Sequence, residues 1–176
     1  MTTPRTHLAN TAEAMRGLGQ QLGSALEPGD VVLLVGPLGA GKTTFTQGVG
    51  AGLNVQGQVT SPTYIVARVH DALGDGPDLV HVDAYRLEDD LDLETVDLDA
   101  SVEQAVTVVE WGRGRAEGLS DDRLEVEFSF AEPVPDSAGD PTAGTAEDEM
   151  PEEPRQVRFI PVGQHWSQRL ERAGLA

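Results

Sequence analysis

The stretch from Val31 to Thr44 has the sequence VVLLVGPLGAGKTT. Its first five residues form a continuous apolar run, which is typical of a parallel β-strand covered on both faces. The next segment matches the pattern GxxxxGK[ST], and we predict that a helix begins near Lys42. A strand, a glycine-rich turn and a helix N-terminus in this order predict a loop that binds nucleotide phosphates.

The residues of this phosphate-binding loop suit different parts of a nucleotide. Glycines let successive backbone N–H groups converge on phosphate oxygens, and the helix N-terminus favours a bound anion. Lys42 is expected to contact the β- and γ-phosphates, and the Thr43 hydroxyl is expected to bind Mg²⁺. The predicted nucleotide-binding residues of the loop are Gly36, Pro37, Leu38, Gly39, Ala40, Gly41, Lys42, Thr43 and Thr44.

Lys42 is the only lysine of the chain, and every other basic residue except histidine is an arginine. The guanine-reading motif [NT]KxD of GTPases needs a second lysine, so this motif is absent. We therefore predict ATP, with Mg²⁺, rather than a guanine nucleotide.

Two carboxylates follow apolar runs and are candidate catalytic residues together with Lys42. Asp83 follows the run 79–82, and Glu110 follows the run 106–109. Phosphate-binding loops need an acidic partner at the end of a neighbouring strand, which holds Mg²⁺ or orients water. Spacing alone does not assign the two roles, although we favour Glu110 as the residue near the metal, beside Thr43.

Three further positions are candidate contacts for the nucleotide. Ser61 and Thr63 belong to SPTY, which follows the predicted P-loop helix, where switch loops place hydroxyls toward the γ-phosphate; a plain turn is the alternative. Trp111 follows Glu110 directly and is either a core residue or a contact for nucleotide or partner. The four histidines lack metal-ligand spacing and are interpreted as structural or exposed, so no metal besides Mg²⁺ is predicted.

The rest of the chain alternates between helix and strand signals. We predict an N-cap at Asn10 with Glu13 at the third helical position. The predicted helices cover 11–26 and 164–173 in addition to the helix from Lys42, and the predicted strands cover 31–35, 64–69, 79–82, 106–109, 124–130 and 156–161. The expected fold is a single α/β domain over 1–176, a three-layer αβα P-loop NTPase-like architecture with a mostly parallel sheet and a C-terminal β-hairpin.

Composition excludes several classes of protein. The chain has 30 Asp and Glu against 12 Lys and Arg, a formal net charge of -18, which opposes direct contact with nucleic acids or anionic membranes. It has no cysteine, which excludes disulfides and thiolate metal sites. No apolar signal segment or membrane span is apparent, so we expect a soluble cytoplasmic protein.

One segment departs from the globular pattern. Residues 131–155 are acidic, contain almost no large apolar side chains, and are rich in Pro, Gly, Ala, Ser and Thr. Such a composition does not bury enough apolar surface to offset the entropy of ordering, so we predict a disordered loop. The alternative interpretation is a regulatory or docking segment.

Several motifs together resemble the TsaE (YjeE) family of small bacterial P-loop ATPases. They are, in order, GPLGAGKTTFTQG (36–48), SPTY (61–64), HVDAYRL (81–87), VVEWGRGRAEGL (108–119) and DRLEV (122–126). The resemblance covers nearly all of residues 8–130, and the acidic segments 86–104 and 131–155 depart from the family pattern.

The resemblance implies a function and a set of site residues. It implies binding of ATP and Mg²⁺ through Lys42 and Thr43, with Ser61 and Thr63 in a switch-like loop. It also makes functional residues of Asp83, Glu110 and Trp111, with Tyr85 and Arg86 close to them. Proteins of this family support synthesis of threonylcarbamoyladenosine in tRNA, next to the anticodon, and would act on the TsaB and TsaD proteins by using ATP hydrolysis to reset that pair.

Two other functions are compatible with a phosphate-binding loop. A small-molecule P-loop kinase shares the loop and the sheet, but it needs several arginines around the transferred phosphoryl group, and residues 75–104 offer only Arg86. A nucleotide-dependent binding module with incidental hydrolysis has the same sequence pattern. An ATPase assay with and without the partner proteins separates the three.

Overall fold

The computed structural model describes residues 5–61, 67–85, 103–131 and 153–176. Within them, the strands are β1 (Thr6–Ala9), β2 (Val31–Val35), β3 (Ala67–His70), β4 (Leu79–Asp83), β5 (Val106–Glu110), β6 (Arg123–Phe130) and β7 (Arg155–Val162). The α-helices are α1 (Ala12–Gly23), α2 (Lys42–Leu53) and α3 (Trp166–Arg172), and a short 3-10 helix covers Glu117–Leu119.

The described strands form one sheet in the order β1-β7-β6-β2-β5-β4-β3. The four central strands β6, β2, β5 and β4 are parallel to one another. Strand β7 pairs antiparallel with β6 and β1, and β3 pairs antiparallel with β4. The predicted fold class is confirmed: the protein is α/β with a mostly parallel sheet centre and a C-terminal hairpin of β6 and β7. The carboxyl ends of the parallel strands meet at one edge, where open α/β sheets bind their ligands.

Strand β2 lies at the centre of this sheet and is apolar on both faces, as the sequence predicted. Val32 and Leu34 pack into the core that includes residues of α1, α2 and α3. Val31 and Leu33 are fully buried on the opposite face, which the segment containing the 3-10 helix covers within the described residues. Burial on both faces fixes the strand that leads into the phosphate-binding loop.

Helices α1 and α2 pack with their backbones in close contact. A Cβ atom on Gly19 or Gly48 would lie 2.1 Å from a backbone oxygen of the other helix, and on Gly23 or Gly52 the distance would be 2.4 Å. Real Cβ atoms do not approach so closely, so each position requires glycine. The contact holds α2, and therefore the loop before it, rigidly against α1.

We expect Gly48→Ala to lower the free energy of unfolding by about 1 to 3 kcal/mol or more, since overpacking a tight contact forces the backbone to shift. The added methyl group would meet the backbone oxygen of Arg16. Gly17→Ala is the matched control because it also changes a helical glycine but meets nothing within 4 Å. It should raise stability by about 0.5 to 1 kcal/mol through helix propensity. Urea denaturation of both variants measures the difference, and equal stabilities would contradict the packing argument.

The helix boundaries differ from the predicted ones at both ends of α1. Thr11, not Asn10, is the N-cap: its extended backbone and its hydroxyl, which accepts from the N–H of Ala14 at 3.0 Å, begin the helix one residue later. Glu13 is therefore the second helical residue and forms no capping box. The helix ends at Gly23, three residues before the predicted end, and the terminal helix α3 is likewise shorter than predicted.

Strand β1 was not predicted, since its four residues alternate weakly and its partner β7 lies about 150 residues later in the chain. The predicted strand 64–69 corresponds to β3, and residues 64–66 of that prediction lie outside the described residues. The predicted disordered loop 131–155 lies outside them from 132 to 152. The two ends of the predicted loop are ordered: the N–H of Ala131 donates to the carbonyl of Pro154, and Arg155 already belongs to β7.

Among the described helices, none has the length and apolar character that crossing a membrane requires.

Candidate nucleotide-binding site

The phosphate-binding loop joins the carboxyl end of β2 to the N-terminus of α2. Gly41 is the N-cap of α2 and has a φ of 99°, a left-handed conformation that glycine adopts without strain. A Cβ on Gly36 would lie 2.6 Å from the backbone oxygen of Phe128, so that position also requires glycine. The loop thus aims the free N–H groups of the first turn of α2 at one point, which is an anion-binding arrangement.

Lys42 is folded into this loop. Its Nζ donates hydrogen bonds to the carbonyls of Gly36 and Pro37, both at 2.8 Å, and lies 4.0 Å from the centre of the Trp111 ring. Burial lowers the pKa of Lys42, while the nearby carboxylates of Glu110 and Asp83 act in the opposite direction. Burying this ammonium group destabilises the fold, and a bound phosphate would offset that cost by pairing with its charge.

Glu110 ends β5 and lies against the start of α2. The Thr43 hydroxyl donates to its carboxylate at 3.0 Å from Oε1 and 3.3 Å from Oε2. Nε2 of His81, a fully buried residue of β4, lies 2.8 Å from the same Oε1. The parallel register of β4 and β5 brings these two side chains to one face of the sheet.

Asp83 and Glu110 are neighbours across the β4–β5 pair, but their surroundings differ. Glu110 is 4% exposed and contacts Thr43, whereas Asp83 is partly exposed and accepts a hydrogen bond from the N–H of Tyr85 at 3.0 Å. The geometry therefore places Glu110, rather than Asp83, beside the hydroxyl predicted to bind the metal.

Trp111 lines the site instead of filling the core. Its backbone is left-handed, with a φ of 62°, which is uncommon for a bulky residue, and its N–H donates to the carbonyl of Leu34 at 2.9 Å. The ring lies beneath Lys42 and 5.2 Å from the ring of Tyr85, which is 62% exposed. The strained backbone turns the indole toward the pocket.

These residues enclose a pocket of about 290 Å³, near the lower end of the roughly 300 to 1,000 Å³ of small-molecule sites. Its lining residues are Leu38, Gly39, Gly41, Lys42, Thr43, Thr44, Ser61, Asp83, Tyr85, Glu110 and Trp111. Three predicted loop residues are not among them: Ala40 is fully buried, and Gly36 and Pro37 instead hold Lys42. Thr63 lies outside the described residues.

A second cleft of about 140 Å³ lies beside the loop, and sequence reasoning missed it. It shares Gly39, Gly41 and Thr44 with the first pocket, and Thr11 contributes from the N-cap of α1 and Arg155 from β7. These segments are distant along the chain and carry no recognisable motif, so only the fold brings them to the phosphate-binding loop.

The oxygen atoms of Thr43 and Glu110 fit a magnesium site. Magnesium prefers oxygen ligands and usually keeps waters and substrate phosphates in its coordination shell, so it needs few protein ligands. No group of three or more His, Cys, Asp or Glu residues that could hold a metal occurs in the described parts of the chain. The two converging oxygen donors therefore suit a metal brought in with a nucleotide.

Comparisons with known proteins agree with these features. The sequence model of the family described as "Threonylcarbamoyl adenosine biosynthesis protein TsaE" matches residues 9–134. A Streptomyces coelicolor protein named "tRNA threonylcarbamoyladenosine biosynthesis protein TsaE" is 49% identical over 154 residues, which are 87% of this chain and 94% of that protein. The protein of the same name from Mycobacterium tuberculosis strain H37Rv is 51% identical over 116 residues, covering 62% of this chain and 69% of its own. The crystal structure of YdiB from Bacillus subtilis is similar with a TM-score of 0.71 and 27% identity, over 99% of this chain and 96% of that one.

Proposed function

Since the chain belongs to the TsaE family of threonylcarbamoyl adenosine biosynthesis proteins, we propose that it binds ATP with Mg²⁺ and hydrolyses ATP slowly. The resemblance predicted from the motifs is confirmed, and the role of the protein lies in threonylcarbamoyladenosine biosynthesis on tRNA. The observation that carries the proposal is the joint arrangement of Lys42, Thr43 and Glu110 where β2 and β5 meet the N-terminus of α2.

In the proposed reaction, the backbone N–H groups of the loop bind the phosphates and Lys42 contacts the terminal ones. Thr43 and Glu110 would hold the metal. The chemistry that Mg²⁺ supplies when bound is neutralisation of negative charge on phosphate oxygens. Asp83 lines the same pocket, is partly exposed and makes no hydrogen bond to Thr43 within the described residues, so we place its carboxylate at the attacking water.

The nucleoside would occupy the second cleft. Glu110, which we place at the metal, and Asp83, which we place at the attacking water, both line the first pocket, so the terminal phosphate belongs there and the base would leave the loop on the opposite side. The second cleft shares Gly39, Gly41 and Thr44 with the first pocket, and its lining continues to Thr11 and Arg155, which do not line the first pocket. With no guanine-reading lysine in the chain, adenine is the base that we propose.

Partner proteins would complete the site. Lys42 is the only cation among the residues that line the pocket in the described ranges, whereas fast phosphoryl transfer uses several positive groups. We infer from the family that TsaB and TsaD are the partners and that one of them orders the site or contributes an arginine. A net charge of -18 fits a cytoplasmic protein that acts on TsaB and TsaD without binding tRNA directly.

We expect ATP turnover to be slow for the isolated protein and to rise severalfold when purified TsaB and TsaD are added together, because the partner supplies transition-state stabilisation that the chain lacks. Phosphate release with each protein alone and with all three measures the effect, and the TsaB–TsaD pair without this protein is the control. Efficient phosphorylation of a small metabolite by the isolated protein would favour a kinase instead. Tight ATP binding with the same turnover in all mixtures would favour a binding module.

A further inference from the structure

His81 is the polar residue in the apolar run of β4, which has the sequence LVHVD. It is fully buried beneath the start of α2, and its Nε2 lies 2.8 Å from Oε1 of Glu110. The two side chains reach each other because β4 and β5 are parallel neighbours, with Asp83 opposite Glu110 in the register. The contact is therefore a product of the fold and not of sequence proximity.

The hydrogen bond defines what the imidazole does. An ionised carboxylate only accepts, so Nε2 of His81 carries the proton and donates to Glu110. Nδ1 is buried without a hydrogen-bond partner in the part of the chain that the structure describes. A side chain that merely filled the core would be apolar at this position, since an apolar side chain leaves no buried polar atom unpaired.

The bond also decides how the Glu110 carboxylate is turned. Oε1 accepts from both His81 and Thr43, at 2.8 and 3.0 Å, whereas the contact of Oε2 with Thr43 is longer at 3.3 Å. Two donors hold Oε1, whereas Oε2 has only the longer contact with Thr43 among the described residues. If His81 is removed, the Glu110 side chain loses the hydrogen-bond donor that β4 provides, and within the described ranges only Thr43 still donates to its carboxylate.

We propose that His81 is a positioning residue that holds Oε1 of Glu110 so that Oε2 faces the magnesium ion of a bound nucleotide. The proposal rests on the proposed function, since it needs a metal–nucleotide complex at Thr43 and Glu110. His81 itself touches neither nucleotide nor metal, and it acts only through the orientation of Glu110.

Three variants of His81 and one control test this role in the full-length protein. His81→Gln keeps an amide N–H that reaches as far as Nε2, His81→Asn has a shorter amide that does not reach, and His81→Leu has no donor. Thr107→Val is the matched control because Thr107 is also fully buried in the sheet and its hydroxyl has no partner among the described residues. The readouts are thermal melting, calorimetric ADP binding with and without Mg²⁺, and the kcat and KM of ATP hydrolysis.

We expect His81→Leu and His81→Asn to lose about 10- to 100-fold in kcat and in the strengthening of ADP binding by Mg²⁺, as is usual when a metal ligand loses its orienting partner. ADP binding measured without Mg²⁺ should stay within about threefold of wild type, because the loop and Lys42 are unchanged. His81→Gln and Thr107→Val should keep wild-type values within about fivefold. If His81→Leu does not fold, the comparison of Gln with Asn decides.

Equal behaviour of the Gln and Asn variants, or wild-type Mg²⁺ dependence in the folded Leu variant, would overturn the positioning role while leaving the proposed function intact. Failure of the wild-type protein to bind ADP or to respond to Mg²⁺ would instead overturn the proposed function, and the role of His81 with it.

Discussion

ATP hydrolysis is expected to fall about 100- to 1,000-fold in Lys42→Met, a range typical for removing one preorganised group that stabilises transition-state charge. Lys42 is the only cation that lines the pocket within the described residues, and its ammonium is aimed into the loop by the carbonyls of Gly36 and Pro37. Methionine keeps the length of the side chain and removes the charge. Phosphate release under saturating ATP, with TsaB and TsaD present, measures the loss.

The same substitution should not destabilise the protein. Because burial lowers the pKa of Lys42, the ammonium costs the fold free energy, and an uncharged side chain of similar length removes that cost. The melting temperature of Lys42→Met should therefore equal or exceed that of wild type. Lys42→Arg should lose activity too, since a branched guanidinium does not fit where a compact ammonium bonds two carbonyls at 2.8 Å. Retained hydrolysis in Lys42→Met would refute the assignment of the loop.

Glu110→Gln is expected to lower kcat by about 100-fold or more, while ADP binding without Mg²⁺ changes little. The substitution removes the negative charge that we propose to lie beside the metal but preserves shape, and the Thr43 hydroxyl that donates to Glu110 loses its charged acceptor. Asp83→Asn is the matched comparison, because Asp83 lies in the same pocket and makes no hydrogen bond to Thr43 within the described residues.

The two carboxylate variants should fail in different ways. Glu110→Gln should need a higher Mg²⁺ concentration for half-maximal turnover, whereas Asp83→Asn should lose turnover at an unchanged Mg²⁺ requirement, since we place Asp83 on the water. A magnesium titration of ATP hydrolysis distinguishes them. If Asp83→Asn shifts the Mg²⁺ requirement and Glu110→Gln does not, the two roles are exchanged; near-normal turnover in either variant leaves that residue a structural role only.

The sequence predicted the centre of the fold because the strand, turn and helix start there depend on residues that are close together in the chain. The apolar run of β2 and the loop before α2 lie within 14 consecutive residues, so strand, turn and helix N-terminus are visible together. Strand β1 was not predictable from the sequence, because this strand of four residues gains its stability from pairing with β7, near the other end of the chain. The glycine contacts of α1 with α2 have the same origin, since only packing shows which glycines meet a backbone.

The sequence predicted which residues belong to the candidate site, but it did not predict which of their side chains contact each other. Carboxylates at the ends of apolar runs marked Asp83 and Glu110, yet the choice between them needed the position of Thr43, which the packing of α2 on the sheet determines. His81 lacks metal-ligand spacing and was interpreted as structural or exposed. Its bond to Glu110 depends on the register of β4 against β5, which the sequence does not state.

The central claim is that ATP hydrolysis at this site resets the TsaB–TsaD pair. The most direct measurement counts threonylcarbamoyl groups transferred to tRNA per TsaD molecule, over successive turnovers, with wild-type protein, with Lys42→Met and with neither. We expect the first turnover to be similar in all three reactions, and later turnovers to proceed only with the wild-type protein. Equal numbers of later turnovers in the three reactions would contradict the claim.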